Sequence, residues 1–234
     1  MKNQPFKSAC IRVLLSFILL GAYSHSSAQE KPDRFEHYIK KFEEEDMRVR
    51  RRPGYVLLVG SSTFTRWTDV GDYFPETMTL NRGFGGSTFP DIIYFADRMI
   101  FPYLPSKILI YAGDNDIAAG TSASETFRNA KKLRKMIAHK FPEIPVVLIS
   151  VKPSLSRWKF KDSYEAFNRK LQKYAKRTHL TRFADTWTPM LNEQGEPRKD
   201  IFVEDGIHMN SKGYAIWKKI LTPYIGSSGN LKAD

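Results

Sequence analysis

Three short stretches, 55–59 (YVLLV), 107–112 (KILIYA) and 146–151 (VVLISV), are apolar almost throughout and rich in β-branched residues. A strand with one wet face alternates apolar and polar residues, whereas a run with no polar face is covered on both sides. Weaker strand patterns lie at 77–81 (TMTLN) and 181–187 (TRFADTW). Between these runs apolar residues recur at helical spacing over about 88–99, 122–141, 161–177 and 211–221, the last ahead of Pro223. Thr121 or Ser122, Asp162, and Asn210 or Ser211 are placed to cap three of these helices. Buried strands alternating with helices require a parallel sheet with helices on both faces. The chain is therefore expected to form an α/β fold, a three-layer α/β/α sandwich with a central, mainly five-stranded parallel sheet, over 55–225. A further helical pattern (Phe35, Tyr38, Ile39, Phe42), broken by Pro53-Gly54, makes 29–54 an N-terminal helical extension. Residues 226–234 form a polar tail.

Sheets of this kind place their ligand sites just beyond the carboxyl ends of the strands. Gly60-Ser61-Ser62 follows the first strand, Asn81-Arg82-Gly83 the second, and Gly113-Asp114-Asn115-Asp116 the third. All three should open onto one crevice. A serine there becomes a useful nucleophile only with a base, and the base needs an orienting partner. Beyond the first 28 residues the chain has four histidines, of which His37, His139 and His179 fall on charged helical patterns or end one. His208 instead lies in the loop VEDGIHMNSKG before the last helix, with Asp205 three residues earlier. In a tight glycine-containing loop that spacing can bring a carboxylate under an imidazole. Backbone amides beside glycines, as in NRGFGGS, and an asparagine side chain, as in GDND, are suitable donors for an oxyanion.

The ordered blocks Gly-Ser-Ser, Asn-Arg-Gly-Phe-Gly-Gly, Gly-Asp-Asn-Asp and Asp-Gly-Ile-His resemble the SGNH (GDSL-type) hydrolase superfamily over about 55–215. The resemblance implies a flavodoxin-like three-layer fold and a serine esterase that needs neither metal nor organic cofactor. Carried over by position, it puts the nucleophile on Ser62, the general base on His208 and the orienting acid on Asp205. It puts the oxyanion donors on the Ser62 and Gly83 amides and the Asn115 side chain. The first block departs from Gly-Asp-Ser, because Ser61 stands where aspartate is usual. In KPSLSRW, after the fourth strand, Arg157 could meet an anionic group and Trp158 could wall the substrate pocket; the alternative is a structural loop held by Arg157.

Lys2, Lys7 and Arg12, an apolar run over 13–23 and Ser26-Ser27-Ala28 form the layout of a secretory signal peptide cut after Ala28. The mature protein is then expected to be secreted or periplasmic, without stable membrane insertion. The sole cysteine, Cys10, leaves with the leader, which excludes an internal disulfide and a thiol nucleophile. The leader holds three of the 37 basic residues and no acid, leaving 34 against 25 acidic and a net charge of +9. The basic residues are dispersed, so nucleic acid is not expected as a partner. Secretion and the family's carbohydrate esterases favour O-acetyl or other short acyl esters of carbohydrates as substrate. A lysophospholipid or short-chain lipid ester is the alternative. Two other readings compete: a metal-dependent phosphoesterase using Asp114, Asp116 and His208, and a silent carbohydrate-binding protein stacking sugars on Trp67, Trp158 and Trp187.

Overall fold

The computed structural model describes residues 33–49 and 52–226 of the chain. The expected leader at 1–28 and tail residues 227–234 lie outside them. Five strands, β1 (Val56–Gly60), β2 (Thr79–Gly83), β3 (Lys107–Tyr111), β4 (Val146–Ile149) and β5 (Thr181–Ala184), pair in parallel in the order β2-β1-β3-β4-β5. The helices are α1 (Glu36–Arg48), α2 (Ser62–Thr65), α3 (Val70–Tyr73), α4 (Phe89–Tyr94), α5 (Ala96–Met99), α6 (Asp114–Ala118), α7 (Ala123–Lys140), α8 (Lys161–Ala175) and α9 (Ser211–Ile225). Among the described residues no helix is long and apolar enough to cross a membrane.

The period of two in the strands divides the core into two faces. Leu57, Val59, Ile108, Ile110, Val146 and Leu148 pack with residues of α1, α4, α5, α7 and α8. Val56, Leu58, Leu109, Tyr111, Val147 and Ile149 pack with Phe64 of α2, Val70 of α3 and Tyr214, Trp217 and Leu221 of α9. Each such side chain contributes about 2 kcal/mol on burial, and a one-residue slip of register would move every one to the other face. The register is therefore fixed by both layers at once. It aligns Gly60 with Gly83 on one side and Tyr111 on the other, so β1, β2 and β3 end at one level and their loops emerge together.

Several elements differ from the sequence pattern. The helix expected over 88–99 is divided at Phe95, whose ring is buried against Phe84 and Tyr94, and the second piece carries Arg98 to α1. The last helix runs through Pro223 to Ile225 instead of stopping before it. Proline gives no N–H to the Lys219 carbonyl, but buried Leu221 and Ile225, with the Tyr224 hydroxyl on the Phe183 carbonyl, hold the final turn in place. The fifth strand stops at Ala184, beyond which Ser150 and Thr186 continue the β4–β5 pairing through their hydroxyls (Thr186 N–H to Ser150 Oγ 2.8 Å, Thr186 Oγ1 to the Ser150 carbonyl 2.9 Å). Ser122 and Asn210 cap α7 and α9, whereas Asp162 sits inside the first turn of α8 and makes no cap.

Helix α1 docks beside β2 through apolar residues and two arginines. Phe35, Ile39 and Phe42 are buried in the core. Arg82, 1% exposed, donates to Glu45, Asp46 and the Tyr103 hydroxyl. Arg98 bridges Glu36 at 2.8 Å and Glu43 at 2.7 Å. A buried guanidinium must keep its partners, since losing one would leave a charge unpaired out of water. The helix is thus anchored to the strand that leads into the glycine-rich turn.

Candidate active site

Ser62 is the first residue of α2, directly beyond β1. An N-terminal helical position leaves its backbone N–H without an intrahelical acceptor, and no other group among the described residues accepts it. Its hydroxyl lies 2.9 Å from His208 Nε2. His208 Nδ1 lies 2.6 Å from Asp205 Oδ2. Because the carboxylate accepts from Nδ1–H, Nε2 is left with its lone pair toward Ser62. The three residues expected to act together are therefore hydrogen-bonded in series. His37, His139 and His179 are all exposed, away from this chain.

The loop that carries Asp205 and His208 is closed on itself. Phe202 bridges Met209, and Val203 N–H donates to the His208 carbonyl at 2.9 Å. Asp205 Oδ1 accepts the Ile207 and His208 amides, each at 2.8 Å. Burial opposes ionisation of Asp205, but the bonds from the His208 ring and these amides outweigh it and hold the carboxyl well below the usual range. Gly206 turns the loop at φ +64, where a Cβ would also fall 2.7 Å from Ser156 Oγ. From outside, the Ser156 hydroxyl donates to the Asp205 carbonyl at 2.6 Å. Lys152, fully enclosed, donates to the Ile207 carbonyl at 2.6 Å. Burial lowers its ammonium to about 8 against the opposing pull of Asp114. Nothing in the sequence pattern singled out Lys152, because its role depends on a loop 55 residues away.

The expected oxyanion donors are differently placed. Asn115, in the first turn of α6, donates from Nδ2 to the Ser87 carbonyl at 3.0 Å and keeps its second amide hydrogen. Gly83 does not fit its expected part. It is the last residue of β2, its N–H donates to Asn81 Oδ1 at 2.9 Å, and a Cβ there would stand 2.6 Å from Phe64 Cβ. It is a packing glycine between β2 and α2. The amides of Gly85 and Gly86, two and three residues further on, have no acceptor among the described residues, and a Cβ on Gly85 would stand 3.9 Å from Ser62 Cβ. The glycine run in NRGFGGS was the signal, and only the turn's geometry tells its members apart.

Ser61 is fully buried, and its hydroxyl points at Asp114 Oδ1 at 3.5 Å. An aspartate at 61 would set a second carboxylate against Asp114, which like-charge repulsion disfavours. The carboxylate thus comes from the loop after β3, and serine is the residue that accommodates it. Asp114 Oδ2 also receives Arg157 at 3.3 Å, and the same guanidinium nitrogen donates to Asn115 Oδ1 at 3.0 Å. Arg157 is therefore engaged by the protein itself instead of facing an anionic substrate group. Its bond to Asn115 Oδ1 orients the carboxamide so that the NH2 faces the glycine turn. Trp158 stacks on Trp187 at 5.7 Å, and among the described residues no hydrogen bond or ring contact joins it to Ser62 or His208. Trp67 is fully buried and Trp187 is 8% exposed, so neither offers an open stacking face. Among the described residues no group of three or more His, Cys, Asp or Glu is arranged to hold a metal ion.

Asp116 is 2% exposed and accepts the Phe89 amide at 3.1 Å. Burial raises its carboxyl to about 7, against the lowering effect of that amide. The folded protein then keeps a proton that the unfolded chain releases near 3.8. Stability should fall as pH rises from about 4 to about 7 and change no further above that. Asp116→Asn keeps an acceptor for Phe89 and should remove on the order of 3 kcal/mol of this decline. Urea unfolding at pH 5 and pH 8 measures it, and an equal decline in both proteins would refute the assignment.

The stretch 55–216 matches the model of the GDSL-like Lipase/Acylhydrolase family. No curated protein matches the chain. A GDSL-like lipase from Bacteroides thetaiotaomicron VPI-5482 has the same fold at a TM-score of 0.70, with 22% identity, over 80% of this chain and 97% of its own. A variant of an acetyl-xylooligosaccharide esterase from Geobacillus Stearmophilus gives 0.60 with 15% identity, over 78% of this chain and 100% of its own. A carbohydrate esterase family 3 structure from Talaromyces cellulolyticus gives 0.55 with 17% identity, over 73% and 95%. At such identities the structures share a fold, and the family is carried by the sequence match, which runs from the first strand into the last helix. The chain belongs to the GDSL-like lipase/acylhydrolase family, whose members hydrolyse carboxylic esters.

Proposed function

We propose that this protein is an exported serine esterase that removes O-acetyl or other short acyl groups from carbohydrates through an acyl-enzyme. The observation that carries the catalytic part is the unbroken hydrogen-bond series from Ser62 Oγ through His208 (2.9 Å) to Asp205 (2.6 Å). In the first step Ser62 Oγ attacks the ester carbonyl carbon as its proton passes to His208 Nε2. The ionised Asp205 stabilises the imidazolium so formed. The oxyanion meets the Ser62 N–H, the free amides of the Gly85-Gly86 turn and the second Nδ2 hydrogen of Asn115, which are preorganised and need no reorientation. His208 then protonates the departing alcohol. Water, deprotonated by His208, attacks the acyl-serine and releases the acid.

The carbohydrate part rests on the signal-peptide pattern expected at the N-terminus, which would send the enzyme out of the cytoplasm, and on a fold neighbour described as an acetyl-xylooligosaccharide esterase. Hydrolysis of nitrophenyl esters from acetate to long acyl chains, together with acetate release from acetylated xylo-oligosaccharide, tests it. Activity should be highest at acetate to butyrate and fall about tenfold or more by octanoate, since a site shaped for two carbons must be distorted to admit eight. A maximum at long chains, with no acetate released from the saccharide, would overturn the substrate and favour the lipid ester.

A further inference from the structure

Helix α1 lies outside the family-matched stretch, yet one of its side chains comes to the nucleophile. Its docking is rigid. Arg82 and Arg98 tie it to β2 and α5, and Phe35 packs edge-on to Phe84 with ring centres 5.1 Å apart. Phe84 immediately precedes the Gly85-Gly86 turn. One helical turn after Phe35, Tyr38 packs against Phe84 at 6.4 Å and against His37 at 4.3 Å.

The glycine turn measures how far Tyr38 reaches. A methyl group placed on Gly85 would stand 3.1 Å from the Tyr38 hydroxyl oxygen and 3.9 Å from Ser62 Cβ. The two groups are therefore no more than 7.0 Å apart, the sum of those distances, with the side-chain-free Gly85 between them. That span suits a substrate whose ester carbon sits on Ser62 and whose next few atoms reach the tyrosine. The half-buried ring is held on two sides, while the hydroxyl has no hydrogen-bond partner among the described residues. A fixed phenol with its donor and acceptor free, beside the nucleophile, is placed to bind a polar group of a ligand. An alkyl chain has nothing to offer it, whereas a hydroxylated alcohol does.

We propose that Tyr38 is a substrate-contacting residue, its hydroxyl hydrogen-bonding a hydroxyl or ring oxygen of the saccharide whose ester Ser62 attacks, so that α1 forms one wall of the site. This deepens the carbohydrate-ester reading and rests on it. The test compares the purified protein with Tyr38→Phe on acetylated xylo-oligosaccharide and on nitrophenyl acetate, whose leaving group has no hydroxyl in that place. One lost hydrogen bond should lower kcat/KM for the saccharide about five- to tenfold, through KM, while nitrophenyl acetate changes less than about twofold. A parallel fall on both substrates would assign Tyr38 a structural role and overturn the proposal, as would no change on either. If the wild-type protein hydrolyses nitrophenyl acetate but not the acetylated saccharide, the carbohydrate reading itself fails. Tyr38→Ala on the nitrophenyl series then decides whether the residue lines the site. A shift of the optimum toward longer acyl chains supports the wall formed by α1, and an unchanged profile removes it.

Discussion

Ser62→Ala should lower kcat/KM for nitrophenyl acetate by about 10⁴-fold or more and abolish covalent labelling by a fluorophosphonate, while Ser61→Ala retains the label. The two serines are neighbours in sequence but not in environment. Ser62 has its hydroxyl 2.9 Å from the imidazole, and its amide is free to meet the oxyanion. Ser61 has no exposed surface, turns its hydroxyl to Asp114 and gives its carbonyl to the Phe64 and Thr65 amides. A probe cannot reach it without unfolding the turn. Label surviving in Ser62→Ala would sink the nucleophile assignment. Ser61→Ala leaves one oxygen of buried Asp114 with a partner fewer, so that variant should lose a little stability, about 1 kcal/mol, ahead of any loss of chemistry.

Asp205→Asn should cost about 10³- to 10⁴-fold in kcat with KM little changed, in a protein that still folds but is somewhat less stable than the parent. The carboxylate has two jobs, one per oxygen. Oδ1 accepts the Ile207 and His208 amides and Oδ2 accepts His208 Nδ1–H. A carboxamide can do only one of them. With its oxygen kept on the two amides, its NH2 faces Nδ1, which must then accept, and the ring proton moves to Nε2. An Nε2–H cannot take the proton of Ser62. Turned over, the carboxamide sets its NH2 against two backbone donors. The negative charge that stabilises the imidazolium is gone in both cases. Steady-state kinetics beside a thermal melt separates this from misfolding, and a loss smaller than about tenfold in a folded variant would show that His208 does not depend on Asp205.

Much of the architecture was legible because burial leaves a strong mark on a sequence. Runs such as YVLLV, short, apolar and rich in β-branched residues between helical patterns, read as covered strands, and the parallel sheet with helices on both faces followed. Asp205 and His208 were legible for a related reason: a short loop before a capped helix keeps partners three residues apart within reach. Less was legible where the decisive contact is distant in sequence. NRGFGGS announces a glycine-rich turn, but Gly83 spends its amide on Asn81 and its missing side chain on Phe64. Whether Arg157 meets an anionic group or holds its loop could not be read locally, because its partners Asp114 and Asn115 lie 43 and 42 residues away. Phe95 and Pro223 carry opposite lessons, since packing divides a regular helical pattern at one and carries a helix through an interruption at the other.

The sequence by itself determined the class of fold, the order of its strands and helices along the chain and the kinds of residue at the strand ends. Those depend on periodicity, turn chemistry and short-range spacing, which are local. Tertiary structure decided which of those residues meet. Shared register brings three loops to one level, and a buried carboxylate at Asp114 makes serine the fitting neighbour at position 61. Two buried or half-buried arginines anchor α1 so that Tyr38 faces Ser62 across a glycine. Such choices follow from charge pairing and close approach between segments far apart in the chain, and no local pattern encodes them.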